Sequence, residues 1–178
     1  KASSGPSTAR GSDAFAAAAL RPEQLAWLRN LPPDSHLPGG VWCVHGAPAS
    51  DLRYLMESTM PDYGRHGSPG IRAAGDAELR ERIGPERAAL LACGHSHVPR
   101  LAQLDAMPIV NPGSVGLPAY DDDHVHRHIV ETGSPHARYA RAERVGGQWS
   151  VQLVSVAYDH EAAARRADAN HRPDWAYA

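Results

Sequence analysis

The sequence predicts a layered α/β domain, at the border of the α+β class, from three observations. Two apolar runs, residues 41–44 and 88–93, have the length and composition of buried strands. Capped segments with helical periodicity lie before, between and after these runs. Residues 137–145 and 148–156 show the alternating side-chain pattern of strands on either side of a Gly-Gly pair, which is a strong hairpin signal. Buried strands mixed with amphipathic helices pack as layers around a core.

The N-terminal part of the chain is expected to hold two helices. Residues 1–11 are rich in Ser, Ala and Gly, and we expect them to form a loop. Ser12 and the aspartate after it can cap a short helix that extends to about Leu20. Pro22 suits the opening turn of a second helix, which ends before two consecutive prolines at 32–33.

The remaining elements are short and are separated by turns. In chain order we predict a strand at 41–44, a helix at 52–57, a loop at 61–70, a helix at 76–83 and a strand at 88–93. These are followed by strands at 101–104 and 109–110, a rigid turn-rich segment at 111–116 and a polar, exposed stretch at 121–128. The hairpin and a helix from Asp159 to about residue 169, closed by Pro173, complete the prediction.

Length and charge limit the classes of function. A chain of 178 residues is expected to form one domain with a real core. The formal net charge is −2 and no basic run is present, so neither a nucleic acid polymer nor an acidic membrane surface is expected as a partner. No apolar stretch has the length of a membrane span, and no segment resembles a signal peptide.

The two cysteines lie inside predicted buried strands. Cys43 and Cys93 each precede a histidine by two residues. Reduced thiols packed in a core are the expected state, and this favours a cytoplasmic protein. A disulfide between neighbouring strands stays open as the alternative.

Histidines follow both predicted buried strands. His45 comes directly after residues 41–44, and the sequence Gly-His-Ser-His at 94–97 follows the second run. Ligands and metals bind at the carboxyl ends of strands in α/β proteins, and neutral imidazole is the commonest metal ligand near pH 7. Alternation along an extended segment would place His95 and His97 on one side of the chain. The pattern therefore predicts a metal site, although a lone histidine at a strand end is more often structural.

Three motifs in chain order carry a family resemblance. They are His-Gly-Ala-Pro at 45–48, Gly-His-Ser-His at 94–97 and Asn-Pro-Gly-Ser-Val-Gly at 111–116. Together they resemble the C-terminal half of a calcineurin-like metallophosphoesterase, in particular the small bacterial and archaeal phosphodiesterase branch. Residues 131–139 resemble the hairpin that follows the active site in that branch. The resemblance covers the chain from about Ser12 onward.

The resemblance implies an αββα sandwich with two divalent metal ions at the sheet ends. His45 and His95 would bind one ion and His97 the other, the ions being manganese, iron, zinc or nickel. A bridging hydroxide would attack phosphorus in line, so the intact protein is expected to be a phosphodiesterase or phosphatase that acts on a small phosphoester. Asn111 and Ser114 belong to a segment that supports such a site, without an assigned catalytic role.

The N-terminal motifs of the family are missing. The family supplies an Asp-x-His, a Gly-Asp with a bridging aspartate, and a Gly-Asn-His whose histidine is the general acid. Gly75-Asp76 and Asp122-Asp123-His124 match two of these patterns but lie after His45, and we interpret them as decoys. We therefore expect residues 1–178 to be the C-terminal part of a single metallophosphoesterase domain, inactive alone, which pairs with the missing N-terminal segment or forms a homo-oligomer.

Several alternatives stay open. Residues 121–128 can be a solvated loop, a loop that shapes substrate access, or an independent metal site. Arg100 can meet a phosphate or lie on the surface. Relatives of this fold such as the retromer subunit serve as interaction scaffolds, so a non-catalytic scaffold or protein-interaction subunit is the alternative to an enzyme.

Overall fold

A computed structural model describes residues 8–176. The chain divides into two compact units, and the second begins at Asp34. The first unit contains α1 (Thr8–Ala19) and α2 (Pro22–Arg29). Helix α2 begins as predicted, and the backbone N–H of Arg21 donates to Oε1 of Gln24, 2.9 Å away, at its start. Helix α1 begins before the predicted cap, so residues 8–11 are helical and not loop, because Ala9 and Arg10 are strong helix formers. Residues 1–7 lie outside the described part.

The second unit is built from strands with three short α-helices. Its elements are β1 (Asp34–Leu37), β2 (Val41–Val44), β3 (Glu57–Thr59), β4 (Ile71–Ala73), α3 (Asp76–Ile83), β5 (Leu90–Ala92), β6 (Arg100–Leu104), β7 (Met107–Asn111), β8 (Ala119–Asp122), β9 (His128–Glu131), β10 (Ala137–Val145), β11 (Gln148–Val156), α4 (His160–Ala169) and α5 (Pro173–Ala176). Pro173 begins α5, whereas we expected it only to close α4. A single 3-10 turn, Arg65–Gly67, interrupts the loop predicted at 61–70.

Five of these strands form the central mixed sheet, in the order β1-β2-β5-β7-β6. Strands β2, β5 and β7 run parallel, and the two outer strands pair antiparallel to their neighbours. The carboxyl ends of β2 and β5 therefore lie side by side at one edge of the sheet. This arrangement positions both histidine segments.

One face of the central sheet carries the core. Trp42, Leu91 and Ile109 are paired across three adjacent strands and are at most 2% exposed. Leu79 and Ile83 of α3 belong to the same buried cluster. Their spacing of four residues places both on one face of that helix, which covers this side of the sheet.

The opposite face of the sheet borders an apolar groove. Strands β10 and β11 form a hairpin that pairs through nine residue pairs and joins no other strand of the described chain. A cavity of about 720 Å³ lies between this hairpin and the sheet. Its apolar walls come from both sides and include Val41, Leu90, Ala92, Val110, Ala140, Ala142 and Trp149. The groove is open to solvent on one side, so these apolar walls are not packed against another layer of the described residues.

The helix predicted at residues 52–57 is wrong. Residues 54–58 are all buried, and a helix with one apolar stripe cannot bury five consecutive side chains. The segment is extended instead: the carbonyl of Met56 accepts a hydrogen bond of 2.8 Å from Ala74, and β3 pairs with β4.

The stretch at 121–128 is not wholly exposed. It forms the end of β8, a turn and the start of β9, with Asp122 paired to His128. His128 is fully buried and Val130 is 1% exposed, so alternate residues of β9 face inward. Because the residues of the turn are polar, the sequence analysis predicted the whole stretch to be exposed.

Both thiols are free, and Cys93 is buried. Burial raises the pKa of both the Cys43 and the Cys93 thiol. Among the helices of the described residues, none has the length and apolar character needed to cross a membrane.

Candidate metal site

His45 lies where β2 ends and a tight loop begins. The Gly94 amide donates a 2.8 Å hydrogen bond to the His45 carbonyl, which links the two histidine segments through the backbone. Gly46 follows, and a Cβ at this position would lie 2.6 Å from the Arg53 carbonyl oxygen. Only glycine therefore allows the chain to fold back over residues 47–53, where Ala47 N–H donates to the Arg53 carbonyl, 2.8 Å away.

The second histidine segment has an unusual backbone. His95 and His97 have φ values of 67° and 59°, in the left-handed region that favours glycine. Ser96 between them is fully buried. Strained residues persist only where the surroundings hold them, and such positions cluster at functional sites.

Asn111 is one of the groups that hold this segment. Its side chain is fully buried, and Nδ2 donates to the Gly94 carbonyl at 2.9 Å and to Ser96 Oγ at 3.0 Å. Its Oδ1 accepts from the Gly113 amide at 3.0 Å. Ser114 has a different role, because within the described part of the chain its hydroxyl accepts a hydrogen bond only from the Gly116 amide in its own turn. In the structure, Asn111 contacts the histidine segment and Ser114 does not.

His45 and His95 lie side by side. Their ring centroids are 4.9 Å apart at an angle of 46°. Burial, and then the neighbouring His45, lower the pKa of His95. The neutral form of an imidazole is the form that binds a metal ion. The pair can therefore offer two nitrogen ligands to one ion.

His97 is oriented separately. Its Nδ1 is 2.9 Å from the carbonyl oxygen of Leu117, which can only accept a hydrogen bond, so Nδ1 carries the proton. Nε2 then keeps its lone pair, the arrangement that second-sphere hydrogen bonds give to metal-binding histidines. The Tyr120 ring packs edge-on against His97, with centroids 5.6 Å apart.

A buried network connects both histidines, and the sequence analysis did not identify it. The Tyr54 hydroxyl is 2.8 Å from the Tyr120 hydroxyl and 3.0 Å from Nε2 of His128. Tyr120 also donates to the Ser96 carbonyl, 3.1 Å away. The Tyr54 ring packs on His95 with centroids 4.8 Å apart. Burial is the main cause that raises the pKa of Tyr54 to about 12 and that of Tyr120 further, so both hydroxyls stay protonated.

Arg100 does not lie free on the surface. Its Nε donates to Oε1 of Glu57, 2.8 Å away, and the Glu57 side chain is almost fully buried. This ion pair links β3 to the strand that follows the histidine segment. The other oxygen of Glu57 has no hydrogen-bond partner among the described residues.

Histidines alone do not complete a metal site among the described residues. No group of three or more His, Cys, Asp or Glu side chains between residues 8 and 176 is placed so that it could hold a metal ion. Gly75-Asp76 begins α3, which makes it a helix start as interpreted. In the Asp-x-His match, Asp122 accepts a hydrogen bond from the His124 amide within a turn. The three histidines do not by themselves make two complete ion sites.

The chain has the calcineurin-like metallophosphoesterase fold, here as a mixed sheet with helices and a hairpin. The crystal structure of a metallophosphoesterase from Sphaerobacter thermophilus has a TM-score of 0.58 and 18% identity, over 99% of this chain and 70% of that one. The crystal structure of hypothetical protein PH1004 from Pyrococcus horikoshii OT3 has a TM-score of 0.56 and 18% sequence identity, over 86% of this chain and 52% of that one.

A more distant similarity involves Vps29 from Entamoeba histolytica. A single mutant of that protein has a TM-score of 0.35 and 15% identity over 72% of this chain and 63% of that one, which is too low to support an argument. No protein-family model matches the sequence, and no curated protein matches it either.

Proposed function

We propose that this chain is the histidine-bearing part of a two-metal phosphoester hydrolase. The observation that carries the proposal is the adjacent pair His45 and His95, with His97 oriented by the Leu117 carbonyl, at the strand ends of a metallophosphoesterase fold. His45 and His95 would hold one divalent ion and His97 the other. The bound ions would supply a Lewis acid and an activated water for attack on phosphorus.

The substrate of this proposal is a small phosphoester, as phosphodiester or phosphomonoester. The net charge of −2 offers no basic surface for a nucleic acid polymer or an anionic membrane. Free, high-pKa thiols at Cys43 and Cys93 agree with a cytoplasmic location.

The carboxylate ligands and the general acid are proposed to come from a polypeptide segment outside this chain. Such a segment could add strands at the apolar groove beside β10–β11 and at the edges of that hairpin, which pair with no other strand among the described residues. The chain spans 70% and 52% of the lengths of the two structural neighbours described above. A second copy of this chain is the other candidate for this place.

The test is hydrolysis by the chain extended with the coding sequence that precedes Lys1. With Mn²⁺ we expect turnover of bis(p-nitrophenyl) phosphate and about a hundredfold loss or more for His97→Ala, since a metal ligand is removed. His160→Ala is the matched control, because this exposed histidine begins α4. No turnover by the metal-loaded extended protein, or an unchanged rate for His97→Ala, contradicts the proposal.

A non-catalytic scaffold is the second candidate. The observation that favours it is the lack of any three-ligand cluster among residues 8–176. Metal content distinguishes the two candidates: two ions per extended protein support the hydrolase, and none supports the scaffold.

A further inference from the structure

His128 begins a buried chain of four polar contacts that ends at the histidine segment. Its Nδ1 lies 2.7 Å from the His126 carbonyl oxygen, and its Nε2 lies 3.0 Å from the Tyr54 hydroxyl. The chain continues from Tyr54 to the Tyr120 hydroxyl, 2.8 Å away, and from Tyr120 to the Ser96 carbonyl, 3.1 Å away. Each contact is a hydrogen bond that needs one proton between its two heavy atoms. We call these four contacts the hydroxyl relay.

The neutral hydroxyl relay is one proton short. Each tyrosine hydroxyl contributes one proton, and a neutral imidazole contributes one more. The carbonyl oxygens at the two ends can only accept. Burial raises the pKa of Tyr54 and of Tyr120, so the two hydroxyls keep their protons. Three protons therefore serve four contacts.

The missing proton leaves Tyr120 between two acceptors. The His126 carbonyl requires a proton on Nδ1 of His128, so the neutral ring accepts at Nε2 from Tyr54. Tyr54 then has no proton for Tyr120. Tyr120 can give its single proton either to the Tyr54 oxygen or to the Ser96 carbonyl. In the neutral relay, the contact to Ser96 thus competes with a contact inside the relay.

A second proton on His128 removes this competition. Nε2 then donates to Tyr54, Tyr54 donates to Tyr120, and Tyr120 donates to the Ser96 carbonyl. Four protons serve four contacts in one direction, and hydrogen bonds aligned in a chain strengthen one another. Ser96 lies between the two histidines with positive φ, whose conformation must be held by its surroundings.

The surroundings of the fully buried His128 ring contain charges of both signs. Three carboxylates line the same cavity, those of Asp122, Glu57 and Glu78. The cations on the elements around it are Arg53, Arg72, Arg82 and Arg127, and each of these forms an ion pair with a carboxylate. The other titratable groups are the relay tyrosines and the imidazoles of His95 and His124. None of these four arginines therefore opposes a second proton on the ring with an uncompensated charge.

We propose that His128 is a positioning residue whose second ring proton secures the Ser96 carbonyl and thereby the segment that carries His95 and His97. Within residues 8–176, neither a hydrogen bond nor a ring contact joins His128 to any of the three candidate ligands, so it acts through the two tyrosines. The proposal stands on the hydroxyl relay of the metal-free chain. Only its consequence, a better ordered segment for an ion, rests on the proposed function.

NMR of the whole chain without metal, recorded over a range of pH, tests the hydroxyl relay. The ¹⁵N shifts of the His128 ring report its protonation, and the carbonyl ¹³C shift of Ser96 reports the donor on that oxygen. As His128 gains its second proton, the Ser96 carbonyl signal should move downfield.

Tyr54→Phe separates the relay from direct effects of the neighbouring histidines. The variant keeps the ring that packs on His95 but removes the middle hydroxyl. Shifts caused by protonation of His95 or His97 should persist, whereas the part of the Ser96 shift that follows His128 should be lost. Tyr139→Phe is the matched control and should leave the shift unchanged, because this exposed tyrosine of β10 lies outside the relay.

Tyr120→Phe provides a second variant with the opposite readout. It removes the last two contacts, so the protons of Tyr54 and of a neutral His128 suffice for the two that remain. His128 should then take up its second proton only at a lower pH than in the original chain, by reciprocity of coupled equilibria.

Three results would overturn the proposal. They are a Ser96 signal that does not follow His128, a response that survives Tyr54→Phe, and a His128 titration unchanged by Tyr120→Phe. None of these measurements involves a metal ion or a phosphoester. Failure of hydrolysis in the extended protein therefore contradicts the proposed function and leaves the hydroxyl relay standing.

Discussion

Asn111 offers the sharpest test of how the histidine segment is held. Asn111→Asp keeps the shape of the side chain and the acceptor for Gly113, but replaces the Nδ2 donor with a carboxylate oxygen that faces the Gly94 carbonyl. Asn111→Ala removes all three hydrogen bonds and leaves a small cavity. The two variants together separate the loss of the donor from the loss of volume.

The expected size follows from the contacts. Each net hydrogen bond contributes about 1 kcal/mol, so Asn111→Ala should lower the free energy of unfolding by about 3 kcal/mol. Asn111→Asp should lose a comparable amount at pH 7, because the new carboxylate oxygen faces the Gly94 carbonyl and adds a buried charge, even though the Gly113 amide and the Ser96 hydroxyl can donate to it. Ser114→Ala removes one contact of 3.3 Å in an exposed turn and should change the free energy by less than about 0.5 kcal/mol.

Urea unfolding followed by circular dichroism measures these differences. Titration of Co²⁺ into the folded variants provides a second readout, because a released histidine segment should bind the ion more weakly. An Asn111→Asp variant as stable as the original chain would refute the role of the Nδ2 donor. A Ser114→Ala effect equal to that of Asn111→Ala would refute the distinction between the two residues.

Three further outcomes are expected. Tyr120→Phe should weaken Co²⁺ binding about tenfold in the same titration, because the carbonyl of Ser96, between His95 and His97, loses its donor while the ring keeps its packing on His97. Hydrogen bonds from Arg72, Ser58 and the Gly75 amide lower the pKa of Glu78 in the folded chain. The free energy of unfolding should therefore fall as the pH drops below about 4.3. Glu78→Gln should reduce this loss in acid unfolding curves. Ile109→Ala should cost about 2–5 kcal/mol in urea, because this side chain is fully buried in the central sheet.

Local patterns predicted the elements whose signals lie within a few residues. The Gly75 amide donates to Oε2 of Glu78 at the start of α3, and this helix has the bounds predicted from its sequence. The Gly-Gly hairpin also formed as predicted. Both signals depend on backbone conformations that are determined by the local sequence, so tertiary packing did not override them.

The missed features depend on residues far apart in sequence. Tyr54 meets Tyr120 and His128 from positions 66 and 74 residues away, and only the folded chain brings them together. The error at residues 52–57 has the same origin, because the segment is buried on several sides by residues distant in sequence, and this burial excludes the predicted helix. The inward alternation of His128 and Val130 was a usable signal that the polar turn before it concealed.

The hydrogen bond from the Gly94 amide to the His45 carbonyl has a consequence for how an ion would bind. The bond continues the pairing of β2 and β5 beyond the strands, so the spacing of His45 and His95 is set when the sheet forms. The two imidazoles are thus preorganised, and binding of the proposed ion there would require little further loss of conformational entropy. Exchange of the Gly94 amide hydrogen then reports directly on the fraction of molecules in which the pair is assembled.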